Sequence, residues 1–79
     1  MKLETQIISE IAKALELDES LITIDTQSSD IEAWDSLGQI SILVRLDEVF
    51  DEVSERIPDL AAAISVREIV ELISRSAQR

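Results

Sequence analysis

The sequence predicts a small all-α four-helix bundle: three main helices, one short helix, and a long loop between the first two. Three observations predict it. Apolar residues recur at helical spacing in three separated stretches. Asp18-Glu19-Ser20 and the segment Ser54 to Asp59 break the helical pattern between them. No second run of alternating apolar residues exists with which a first could pair as a sheet. With 79 residues the chain makes one domain, near the lower limit at which one apolar core sustains itself. Its 46% hydrophobic content, mostly Ile, Leu, Val and Ala, supplies that core.

Leu3, Ile7, Ile8, Ile11, Ala12 and Leu15 form an i, i+4, i+8 stripe, which predicts a first helix over 3–17. Glu4, Glu10, Lys13 and Glu16 are assigned to its solvent side. The connection from Asp18 to Asp35 is long for so small a domain, and loops beyond about a dozen residues are uncommon unless they pack or function. Leu21, Ile22, Ile24, Ile31 and Trp34 are spread through it, so it is expected to drape over the bundle. Trp34 is read as its anchor beside Ser36, with contact to a ligand as the alternative.

The second helix is expected to start at Asp35 or Ser36, either of which can cap it, and to run to about Val53. Projected at ~100° per residue, it shows two apolar sectors. Ile42, Leu43, Leu46, Val49, Phe50 and Val53 make the core face. Leu37, Ile40 and Val44 fall opposite, where burial does not need them, with Asp47, Glu48 and Asp51 around them. An apolar strip rimmed by carboxylates has the anatomy of a docking surface. Gly38 sits in the first turn, where glycine costs ~1 kcal/mol relative to alanine. Either a bulky group comes close to the backbone there, or the position merely tolerates glycine.

Ser54 to Asp59 reads as a break, with Pro58 suited to open a new element. Leu60–Ile64 is the short helix. Ser65 and Glu68 have capping-box spacing and open a last helix carrying Val66, Ile69, Val70, Leu72 and Ile73. Residues 74–79 are expected to fray.

Composition excludes several function classes. There is no Cys and no His, hence no disulfide framework, no thiolate nucleophile, and neither the commonest general base nor the commonest metal ligand. Tyr and a Gly-rich phosphate loop are missing as well, so an enzyme is not expected. Nor is a metal site, because the acids near the end of the second helix lack the loop spacing of a calcium site. No apolar run approaches the ~20 residues of a membrane span and the start does not resemble a signal peptide, so a cytoplasmic protein without membrane insertion is expected.

The formal net charge is −10 and uneven. Residues 1–55 hold 14 acids against Lys2, Lys13 and Arg45, a balance of −11, whereas residues 56–79 stand at +1. Such a field repels nucleic acid and anionic lipid and attracts basic protein surfaces.

Ser36 is the remaining feature. No base accompanies it in sequence, but the start of a helix does, and free backbone N–H groups there favour an attached anion. Ser36 is therefore read as the carrier of a phosphate-linked group.

Trp34-Asp35-Ser36-Leu37-Gly38, set between a first helix with its long loop and an acidic second helix, with Ile57-Pro58-Asp59 and a capped last helix downstream, resembles the attachment site of the acyl carrier protein family. The resemblance covers nearly the whole chain. It implies that a phosphopantetheinyl transferase attaches 4′-phosphopantetheine from coenzyme A to Ser36, and that acyl groups ride as thioesters on the arm's thiol. Asp35 matches the family's acid before the serine, with roles in capping and in engaging the transferase and its metal. Trp34, Leu37 and Gly38 support the attachment site. Leu37, Ile40, Val44, Asp47, Glu48 and Asp51 fall where the family meets partner enzymes, whose docking surfaces are basic. A monomer is implied.

The chain also departs from the family's pattern. Ser41 stands where fatty-acid-synthesis carriers usually have an acid, Arg45 adds a positive charge to the second helix, and Val53–Arg56 lengthens the connection to Ile57. Trp34 and Gly38 resemble stand-alone carriers of specialised lipid, polyketide or cell-envelope pathways. A peptidyl or aminoacyl carrier and an unmodified acidic helical adaptor are the alternatives.

Overall fold

The computed structural model describes residues 2–77, and the molecule they form is a small all-α bundle. Helix α1 spans Lys2–Leu15, α2 Ser36–Val49, α3 Val53–Arg56 and α4 Val66–Ala77. Three short 3₁₀ turns, Glu19–Leu21, Ser28–Asp30 and Pro58–Ala62, join them. No strand occurs among the described residues, and none of their helices is long and apolar enough to cross a membrane.

The core follows the helical periodicity. Ile7, Ile11, Ile42, Leu46, Val53, Leu60, Val66 and Ile69 are fully buried, and Trp34 joins them from the loop. Helix α1 packs on both α2 and α4, so its stripe is covered from two sides. Glu10, expected in solvent, is instead buried at 8% exposure. Arg45 reaches across from α2 and donates from Nε to Glu10 Oε1 at 2.9 Å, with Lys13 Nζ 3.8 Å from Oε2. A buried carboxylate needs that partner, and the pair closes the α1–α2 seam.

Helix α1 ends two residues before the expected Leu17, in a left-handed turn. Glu16 takes φ 58°, Leu17 N donates to Ala12 O, and Glu16 N to Lys13 O, which together satisfy two of the last four carbonyls of the helix. The long loop then drapes as expected. Ile22 is buried, Ile24 and Ile31 are half-buried, and Leu21 is left exposed. Asp18 caps the first 3₁₀ turn; the Ser20 backbone amide donating to its carboxylate lowers its pKa. Farther on, Ser28 N donates to Ile64 O and Val66 N to Thr26 O, stitching the loop to the start of α4.

The second half departs from expectation at three places. Helix α2 stops at Val49 rather than near Val53, and the next segment is a separate one-turn helix, α3. The expected short helix over 60–64 is a 3₁₀ turn beginning at Pro58. Ser65 caps α4 as its spacing predicted, with Glu68 N donating to Ser65 Oγ at 3.2 Å and that hydroxyl 3.4 Å from Glu68 Oε1. Helix α4 continues through Ala77, so Ser74–Ala77 are helical rather than frayed; Gln78 and Arg79 lie outside the described residues.

Candidate functional site

The loop delivers Ser36 to the first position of α2, where its side chain is exposed. Asp35, not Ser36, is the cap: its carboxylate accepts from Gly38 N at 2.9 Å. Gln39 N then bonds Asp35 O at 2.8 Å. The amides of Ser36 and Leu37, at the first two helical positions, have no acceptor within the helix. An anion on Ser36 therefore meets two free donors but also shares the helix terminus with the Asp35 carboxylate.

Gly38 is buried, and neither a bulky ligand nor simple tolerance explains it. A Cβ at this position would overlap the Ala33 carbonyl oxygen and press on Leu15 Cδ2 at 3.0 Å. Backbone cannot yield as the end of a side chain can. Glycine here lets the loop close tightly over the first turn of α2, and this close approach positions Trp34 and Asp35.

Trp34 is 5% exposed, the anchor the sequence suggested. Its indole N–H donates to Gln39 Oε1 at 2.6 Å. The Gln39 Nε2 faces the carbonyls of Leu60, Ala61 and Ala63 at 3.0, 3.3 and 3.1 Å. One side chain thus ties the loop, α2 and the Pro58–Ala62 turn together. Sequence reasoning missed Gln39; its signal was a carboxamide one turn past Ser36, between Gly38 and Ile40. A groove of about 550 Å³ opens here, lined by Ser36, Trp34, Gln39 and Ile40 on one side and Ala61–Ile64 on the other.

The outward apolar sector of α2 is where the sequence put it. Leu37 is 75% exposed, Ile40 57% and Val44 53%, and Ile64 at 57% extends the apolar surface across the groove. A second hollow of about 360 Å³ runs between Ile40 and Val44 and the end of α1, edged by Lys13, Arg45 and Glu48. Glu48 is exposed.

The other two acids serve differently. Asp51 is exposed but lies past the end of α2, in the left-handed turn, because the helix ends early. Asp47 is half-buried: its carboxylate accepts from Ser54 N and from Ser54 Oγ, both at 2.7 Å. Since Ser54 is the second residue of α3, Asp47 caps that helix from seven residues away.

No family model, curated protein or solved structure matches the chain.

Proposed function

We propose that the protein is an acyl carrier that bears 4′-phosphopantetheine on Ser36 and presents thioester-linked acyl groups to partner enzymes. The observation that carries this reading is an exposed serine at the first turn of α2, contiguous with the exposed Leu37, Ile40 and Val44. The residues fit the group. Ser36 is accessible, the Ser36 and Leu37 amides favour a phosphodiester by a few tenths to ~1 kcal/mol, and the adjoining groove leaves room for an extended arm. The arm's thiol, when present, supplies the sulfur that a chain without Cys lacks.

Within this reading each residue has a task. Asp35 fixes the first turn and so the direction of the Ser36 hydroxyl. Gly38 and Trp34 hold the loop that carries Asp35. Leu37, Ile40 and Val44 offer apolar contact to a partner, while Glu48 and Asp51 attract its basic residues through contacts that salt weakens. The transferase, not this chain, activates the serine. The cargo class follows a specialised lipid, polyketide or cell-envelope pathway, in the cytoplasm, with the protein a monomer.

Incubation with coenzyme A and a broad-specificity phosphopantetheinyl transferase, followed by intact mass measurement, tests the reading. The wild type is expected to gain one phosphopantetheine and Ser36→Ala none. An unmodified wild type would leave an acidic helical adaptor in which Ser36 is merely the first residue of α2.

A further inference from the structure

Among the described residues, three arginines pair with a carboxylate: Arg45 with Glu10, Arg67 with Asp25 and, loosely at 4.0 Å, Arg75 with Glu71. Arg56 pairs with none among those residues, in a chain where 17 acids face 7 cations. Its guanidinium is nonetheless held in place. Nη2 donates to Phe50 O at 2.8 Å, and Nη1 lies 3.5 Å from Ser76 Oγ. Arg56 and Arg75 line a hollow of about 490 Å³ between the end of α3 and α4. The half-buried Ile57 and Leu72 supply its apolar lining, Ser76 completes it, and no acid enters it. The other hollows differ. The groove beside Ser36 includes Asp35, the one between α1 and α2 includes Glu16 and Glu48, and a third along α4 includes Asp59, Glu68 and Glu71.

An arginine near a helix C-terminus commonly bonds the last carbonyls, and the Phe50 contact does this for α2. That bond takes one of five N–H donors and the Ser76 contact a second, so three remain for another acceptor. A guanidinium already held by the protein loses little freedom when a carboxylate takes the rest of its fork. We propose that this hollow docks an acidic, apolar segment of a partner protein. A carboxylate of the segment meets Arg56 and Arg75, and an aliphatic side chain rests on Ile57 and Leu72. Charge complementarity selects that occupant, because the net charge of −10 repels an acidic segment from the rest of the surface. The hollow shares no lining residue with the groove beside Ser36. A protein held here leaves Ser36 and the outward face of α2 free for a second partner, and the site stands whether or not Ser36 bears an arm.

Titration of the unmodified, isotope-labelled protein with the peptide acetyl-Glu-Leu-Glu-Leu-Glu, followed by NMR at low salt, tests the site. Saturable shifts are expected at the Ile57, Leu72 and Ser76 amides, while those of Ile40 and Val44 stay in place. Arg75→Glu should weaken binding ~10-fold, the equivalent of one charge-assisted hydrogen bond. Arg75 is exposed, so this variant keeps the core intact even where Arg56→Gln, expected to act alike, does not fold. Lys13→Glu makes the same change of charge on α1 and should weaken binding far less. Equal weakening by Lys13→Glu would reduce the effect to net charge and overturn the site, as would an absence of saturable shifts or shifts spread along α2. Two further probes fix the occupant. The lysine counterpart of the peptide should avoid the hollow, and its binding there would overturn charge selection. Inorganic phosphate should shift the same amides only weakly; binding as tight as the peptide's would show an adventitious ion only and overturn the docking of a protein segment.

Discussion

The two ends of α2 are both governed by an aspartate, yet they are built in opposite ways. At the N-terminal end Asp35 caps its own helix three residues on, and the one glycine of the chain sits in the first turn, so the loop closes without backbone strain. At the C-terminal end, Asp51 and Glu52 both take the left-handed conformation, φ 53° and 56°, with neither glycine nor asparagine to ease it. There Asp47 does two jobs. Its carbonyl accepts from Glu52 N at 3.0 Å to finish α2, and its carboxylate starts α3. The unstrained, over-connected end is the one that carries Ser36. The strained end carries the exposed Asp51 and Glu52 and the half-buried Asp47.

Gly38→Ala should break this contrast most severely. The added methyl meets backbone, so either the loop lifts or the helix start shifts, and overpacking of this kind costs about 1–3 kcal/mol. Urea denaturation would measure the loss. Trp34 is the only tryptophan and there is no tyrosine, so its emission reports the site directly. A red shift in the folded variant is expected. Unchanged stability and emission would show that the loop does not depend on the close approach.

Asp47→Ala comes next. It strands the Ser54 amide and hydroxyl, a loss of about 1–2 kcal/mol by comparison with other cap deletions. Glu48→Ala, one residue on and exposed, should stay within about 0.5 kcal/mol of wild type. The same pair tests the docking surface proposed for the carrier. Glu48→Lys should slow loading by the transferase, most at low salt, with stability unchanged, whereas Asp47→Lys would mix lost docking with a damaged α2–α3 junction. A loading rate indifferent to Glu48→Lys at every salt concentration would remove this acid from the docking surface.

What the sequence disclosed and what it hid divide along the same line. Local periodicity made α1, α2 and α4 legible, and it separated Leu37, Ile40 and Val44 from the core face because the two sectors differ in angle alone. The Ser65 cap was legible because its partner, the Glu68 amide, lies three residues on, although the Glu68 carboxylate faces the Ser65 hydroxyl and not its backbone N–H. Gln39 was not, since its acceptors lie 21 to 24 residues away. The burial of Glu10 was hidden for the same reason: its partner Arg45 is 35 residues distant, and without it an acid belongs in water. The early stop of α2 escaped because a left-handed turn is ordinarily announced by Gly or Asn, and Asp51-Glu52 announces nothing. Gly38 was noticed, but its cause, the Ala33 carbonyl, exists only once the loop has closed.

The smallest expected effect bears on whether the strain at the C-terminal end is real. A non-glycine residue in the left-handed region costs roughly 1 kcal/mol, less for Asp, whose short side chain bonds locally, than for Glu. Glycine removes that cost but loses more chain entropy on folding, by about 0.5–1 kcal/mol, so the net gain is a few tenths of a kcal/mol. Glu52→Gly should therefore stabilise slightly, and Asp51→Gly less. Glu52 also precedes α3, where glycine is an acceptable cap, so nothing is lost at that junction. Removing a carboxylate from a chain of net charge −10 would itself stabilise by relieving repulsion. Glu52→Gln separates the two causes, because it discharges the side chain and keeps the left-handed turn. If Gly and Gln raise the denaturation midpoint equally, charge explains the gain and the two ends of α2 differ in sequence alone; a surplus for Gly is the strain that the end carrying Ser36 was built without.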